Sequence, residues 1–228
     1  MSRKLTGLAA SDFNDPGKAA CEELAAVLSD LLSKDENARL GQIRIDSGAP
    51  DDPSAIDGAF VSLAMDEAGL TVALIVVADP HGDVFADLLS ESSTRKTLEA
   101  LEDFDLVVID RQPENIEDRY LNKQPKWKGQ PSMSERLRIP VEDLDESAIE
   151  ALGASIGTLD RRWERIGFKL IRSWPADVCV AKGEGLLAEI ADALRALAPV
   201  VGRVNYRARQ AKMSKAPALE RASWRKPS

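Results

Sequence analysis

Histidine occurs once and cysteine twice in the 228 residues. A structural zinc site wants four Cys or His ligands, so this supply argues against one. Any imidazole general base must be His81, because there is no other histidine. Cys21 falls in a helical pattern and Cys179 in a short apolar run, so both read as small core residues rather than a disulfide. The chain also lacks a long hydrophobic run. The longest, Leu70–Ala78, is broken by Thr71, and a bilayer needs about 20 residues. After Met1-Ser2-Arg3-Lys4 no apolar stretch follows before Ser11, Asp12, Asn14 and Asp15. The expectation is therefore no signal peptide, no membrane contact and a cytoplasmic protein.

What is present is ordinary for a folded chain: 44% hydrophobic and 30% charged residues, enough apolar material for a core. The net charge of −8 is unevenly spread. Residues 203–228 hold eight cations against Glu220 alone, +7, which leaves −15 on residues 1–202. A second basic segment, 119–138, carries Arg119, Lys123, Lys126, Lys128, Arg136 and Arg138 against Glu135. Such asymmetry points to a polyanion or an acidic protein partner, or to a solvated tail.

Asp15-Pro16 is a helix start, with a capping acceptor followed by proline at the first helical position. Cys21, Leu24, Leu28 and Leu31 then repeat at 3–4 spacing, predicting a helix over 16–34. Strands are predicted over 42–46, 59–65 and 70–78, with a tight turn at Asp66–Gly69. The near-continuous apolar character of 70–78 suits a strand covered on both faces. A helix over 83–101, interrupted near Ser90–Thr94, leads to a strand over 106–109.

Residues 111–140, with Pro113, Pro125, Pro131 and Pro140, read as a long loop. Ile149, Leu152, Ile156, Leu159, Trp163 and Ile166 then form an amphipathic stripe behind Asp145. Strands at 168–171 and 178–181 and a helix ended by Pro199 complete the body. The predicted architecture is one α/β domain over 1–202, with 111–140 as a candidate seam. Its mixed sheet of five to six strands is covered by helices, and 203–228 forms a basic tail.

The order helix, three strands, helix, strand resembles the core of PD-(D/E)xK nucleases. That resemblance implies an acid on the second strand binding Mg²⁺, and an acid-x-lysine on the third positioning the metal and the attacking water. Asp57 in Ile56-Asp57-Gly58 stands in the first position, and Glu23 on the opening helix is a further ligand candidate. The third strand departs from the pattern: it ends Val77-Ala78-Asp79-Pro80, offering Asp79 but no lysine. Carboxylates converging at strand ends hold a hard cation that activates water. Alternatively, Asp57, Asp79 and Asp110 close strands for turn reasons alone.

Three other segments carry chemistry. Asp79-Pro80-His81-Gly82-Asp83 follows the most apolar strand, at the end where α/β sheets gather ligands, but no evident Ser or Cys nucleophile accompanies His81. Lys182-Gly183-Glu184-Gly185 precedes a helix, as phosphate-cradling turns do, without matching a dinucleotide or P-loop pattern. Trp127 between Lys126 and Lys128 pairs a stacking surface with phosphate-neutralising cations, and Trp224-Arg225-Lys226 repeats that composition.

With no complete catalytic set, the leading expectation is a non-enzymatic accessory or adaptor subunit of a larger assembly, with no cofactor. Its contacts to nucleic acid or an acidic protein would run through Arg119, Lys123, Lys126, Trp127, Lys128, Arg203, Arg207, Arg209, Lys212 and Arg225. The alternative is a Mg²⁺-dependent nuclease or phosphodiesterase built on Asp57, Asp79, Glu23 and His81.

Overall fold

The computed structural model describes residues 7–13, 18–33, 43–46, 59–76, 81–89, 91–112, 132–157 and 165–215. Six strands form one mixed sheet. They are β1 (Arg44–Asp46), β2 (Phe60–Asp66), β3 (Gly69–Val76), β4 (Asp105–Gln112), β5 (Ser132–Pro140) and β6 (Arg165–Pro175). Their spatial order is β1-β2-β3-β6-β4-β5. Only β1 and β2 pair in parallel. Because β6 sits between β3 and β4, the late part of the chain completes the sheet begun by the early part, and the segment 111–140 divides no sheet.

The β2–β3 hairpin turns where the sequence predicts. The Asp66 carboxylate accepts hydrogen bonds from the backbone N–H groups of Ala68 (2.9 Å) and Gly69 (3.2 Å), the local bonding for which Asp is favoured in turns. Gly69 has φ +148°, and a Cβ there would lie 2.0 Å from the carbonyl oxygen of Trp174. Only glycine fits this conformation beside β6.

Among the described residues, six α-helices accompany the sheet: α1 (Lys18–Ser33), α2 (His81–Leu89), α3 (Ser92–Leu98), α4 (Glu146–Gly157), α5 (Ala176–Lys182) and α6 (Glu184–Lys215). The alternation of β-strand side chains decides where they pack. Val61, Leu63, Leu70, Val72, Leu74, Leu106, Val108, Phe168 and Leu170 share one face, and they form a single core with Leu28, Phe85, Leu152, Ile190 and Leu194 of the helices. The rings of Phe85 and Phe168 meet at 4.8 Å between centroids. The opposite face has its own smaller cluster of Ala73, Ile75, Val107 and Ile109, with Phe60 and Ile171 beside it. It contains strand residues only, so among the described residues the helix layer covers one face of the sheet, not two.

Other departures from the sequence reading have local causes. Residues 132–140 form edge strand β5 rather than loop. Leu137 and Ile139 alternate there with Arg136 and Arg138, and charge on an edge is how sheets avoid further pairing. Of the stripe beginning at Ile149, the described part is helical to Gly157, and Ile166 belongs to β6 instead; Leu159 and Trp163 lie outside the described residues. Residues 178–181 are helical, not extended. Pro175 stands as N-cap of α5, and its fixed φ both ends β6 and suits a helix start. Finally, Pro199 lies inside α6 without ending it. An interior proline costs about 3 kcal/mol, but Val200, Val201, Val204 and Ala208 are all buried along the same helix, and that burial outweighs the local loss.

Candidate functional site

The acidic set of the sequence reading is only partly described. Asp57, Asp79 and the side chain of His81 lie outside the described residues. Glu23 is half-buried on α1, between Cys21 and Leu24 of the core face. His81 is the first residue of α2. Asp110 does not close its strand, since β4 runs on to Gln112. Through β6, Val76 aligns with Phe168 and Phe168 with Val108. Asp110 therefore lies just past the level of Val76, at the sheet end towards which β3 runs. One of its oxygens accepts from Arg136 Nη1 at 3.0 Å, and the other, Oδ1, is buried with no hydrogen-bond partner among the described residues. Among the described residues, no group of three His, Cys, Asp or Glu side chains is placed to hold a metal.

The Lys182–Gly185 turn is occupied by structural contacts. Lys182 Nζ bonds Glu189 Oε1, while Trp174 Nε1 donates to Glu189 Oε2 at 3.1 Å. The Arg172 guanidinium lies 4.8 Å over the Trp174 ring and reaches Asp103 at 2.9 Å. Lys182 beside Glu189 holds that carboxyl below its ordinary range. Gly183, at φ +52°, joins α5 to α6, and Glu184 in the first turn of α6 puts negative charge where a phosphate would sit. This is a clamp between β6 and α6 rather than an anion site. Sequence reasoning missed Glu189 and Arg172 because their partners are set by tertiary packing.

The basic segments separate into neutralised and unneutralised parts. Residues 119–128, which include Arg119, Lys123, Lys126, Trp127 and Lys128, lie outside the described residues, as does Arg225. On β5, Arg138 bonds Glu135 through two nitrogens (3.0 and 3.1 Å) and Asp105 at 3.1 Å. That guanidinium also holds the Glu135 carboxyl below its usual range. With Arg136 on Asp110, both β5 arginines serve the sheet.

Residues 203–215 continue α6, so the boundary expected after residue 202 falls inside a helix. Arg203 Nη1 donates to the buried Thr94 hydroxyl at 2.9 Å, and Arg207 pairs with Glu91 at 3.0 Å. Between them, the Asn205 side chain exchanges two hydrogen bonds with the backbone of Ala59, at 2.8 and 3.2 Å. These contacts fasten α6 to the start of β2 and to the α2–α3 junction.

Beyond Arg207 the helix changes character. Arg209 is exposed and has no ion pair among the described residues. Lys212 follows within the same helix. Tyr206 and Met213 are 61% and 73% exposed, more than any other large hydrophobic among the described residues. Spaced i, i+3 and i+7, Tyr206, Arg209 and Met213 share the outward face of α6. The inward face is Val201, Val204 and Ala208. In the sequence this signal is the second phase of one helical repeat, hidden because Pro199 reads locally as a stop.

No family model, no curated protein and no solved structure matches this chain.

Proposed function

We propose that the protein is a non-enzymatic accessory or adaptor that contacts nucleic acid or an acidic protein surface through its basic segments. The observation that supports this reading best is the end of α6. There the arginines change from pinned, at Arg203 and Arg207, to exposed and, among the described residues, unpaired at Arg209. Arg203 and Arg207 therefore position the helix, and the contacting cations are Arg209 and Lys212 on α6 together with Arg225. Lys123, Lys126, Trp127 and Lys128 supply the second basic segment. Trp and Arg together are the residue types that anchor partners.

The test is a salt titration of binding to a mixed-sequence oligonucleotide and, separately, to polyglutamate. Comparing the full chain with Arg209→Ala/Lys212→Ala assigns the contact to α6. An electrostatic contact weakens steeply with salt, and loss of each phosphate-contacting cation lowers the log–log slope by about 1. Binding of neither polyanion at low salt, or binding indifferent to salt, would overturn the proposal.

A further inference from the structure

The outward face of α6 and a groove elsewhere on the same chain have complementary chemistry. The groove, a cavity of about 550 Å³, lies between the end of α3 and the start of α4. Leu98, Val141, Leu144 and Ile149 give it apolar walls, and Glu99, Glu102 and Glu142 stand around them with Lys96. All three glutamates are exposed, and none has an ion pair among the described residues. The ridge on α6 offers the converse: Tyr206 and Met213 as apolar knobs, with Arg209 as an unpaired cation between them.

The two cannot meet within one molecule. α6 passes Thr94 at Arg203 and then Glu91 at Arg207, so it runs away from Lys96 and Glu99. At a rise of about 1.5 Å per residue, Met213 lies roughly 15 Å beyond Arg203 in that direction.

We propose that the Tyr206–Arg209–Met213 ridge of one molecule docks in the Glu99–Glu102–Glu142 groove of a second copy of this chain. The proposal rests on the reading of the α6 end as a contact surface, and it names the partner. The carrying observation is complementarity in both apolar character and charge. Tyr, Met and Arg are enriched at protein interfaces, and a thioether adds nothing to a phosphate contact. The contact is head-to-tail: ridge and groove are different surfaces, so a pair of molecules keeps one free ridge and one free groove, and association continues into a ring or a chain.

The test is sedimentation velocity on the full chain over a range of concentrations, at low and high salt. Association should rise with concentration and weaken at high salt. Met213→Glu and Glu142→Arg should each weaken it by about tenfold or more, a size expected for anchors of an interface. Both positions are exposed, so each variant should fold, and circular dichroism checks this. Mixing Arg209→Glu chains with Glu142→Arg chains should restore association that neither shows alone, because each ridge then meets a groove of opposite charge on the other variant.

A wild-type chain that stays monomeric throughout, or association untouched by these variants, overturns the inference. If such a monomer still binds polyglutamate or oligonucleotide through Arg209, the second-copy inference alone has failed. If the chain self-associates but binds neither polyanion, the broader reading has failed instead.

Discussion

Cutting the chain at residue 202 rather than 215 is the most informative perturbation, because the charge pattern and the structure expect different results. By charge, residues 203–228 are a tail whose removal leaves folding intact. In the structure, residues 203–215 are the last turns of α6. Ending the chain at Gly202 removes the Val204 side chain, which is fully buried and contributes about 1.5–3 kcal/mol. It removes two Asn205–Ala59 hydrogen bonds at about 0.5–1.5 kcal/mol each. It also removes the charged Arg203–Thr94 bond, about 1.5–3 kcal/mol, leaving a buried hydroxyl without that donor. The exposed Arg207–Glu91 pair adds less than about 1 kcal/mol. Together these are about 4–10 kcal/mol, comparable to the whole stability of a typical domain, about 5–15 kcal/mol. Urea unfolding followed by circular dichroism should therefore find the chain ending at Gly202 unfolded, or with its midpoint shifted far down. The chain ending at Lys215, which keeps every described contact, should stay within about 1 kcal/mol of the full chain. A chain ending at Gly202 with the full-length midpoint and slope would refute the assignment of 203–215 to the folded body. Asn205→Ala checks the same contacts without truncation, and should cost about 1–3 kcal/mol.

Four further outcomes follow from individual residues. Pro199→Ala should stabilise the protein by about 1–3 kcal/mol in urea unfolding, because Pro199 is exposed inside α6; a lower midpoint would mean the helix needs the proline's shape. Gly69→Ala should cost more than about 2 kcal/mol, since its Cβ would meet the Trp174 carbonyl at 2.0 Å; a thermal midpoint equal to wild type would contradict the hairpin geometry. Phe168→Ala, at a fully buried ring packed on Phe85, should cost about 3–5 kcal/mol by the same unfolding assay. The Glu189 carboxyl is held low by Lys182, so its stabilisation is present above the unfolded value and is lost as pH falls through the lower folded one. Because the pair is about one-third exposed, the effect is less than about 1 kcal/mol, and Glu189→Gln should flatten the stability–pH curve on the acid side; an unchanged curve would show the pair contributes nothing.

Elements whose side-chain period is fixed by one buried face were legible. α1, β2, β3 and the Asp66 turn fall where apolar spacing and turn chemistry put them. Elements decided by distant packing were not. The run 178–181 is too short for period to separate strand from helix, and its helical state follows from Pro175 ending β6. Strand β5 carries three charged residues and gains its pairing from β4, a partner the local sequence does not reveal. Pro199 shows the same priority in α6, where tertiary burial on both sides of the proline overrides a local breaker. The site followed this division. Lys182 and Arg207 were legible as charges, but their partners Glu189 and Glu91 come from the fold.

Charge, which first set the tail apart from the body, also decides how far the tail reading holds. A cation counted in sequence has value for a partner only if the fold leaves it unpaired. Arg136 and Arg138 on β5, with Arg203 and Arg207 on α6, each meet a carboxylate or a hydroxyl of the same molecule. Arg209 does not. The acidic body shows the converse in Glu99, Glu102 and Glu142, which gather around an apolar groove without cations of their own beyond Lys96. Internal neutralisation would have paired these groups within the molecule, since Coulomb attraction rewards proximity at low cost on a surface. Among the described residues an unpaired cation stands beside exposed Tyr206 and Met213, and unpaired carboxylates stand around a groove whose apolar side chains are buried or half-buried. That joint exposure, rather than the net charge of either half, is the physical argument for an intermolecular role.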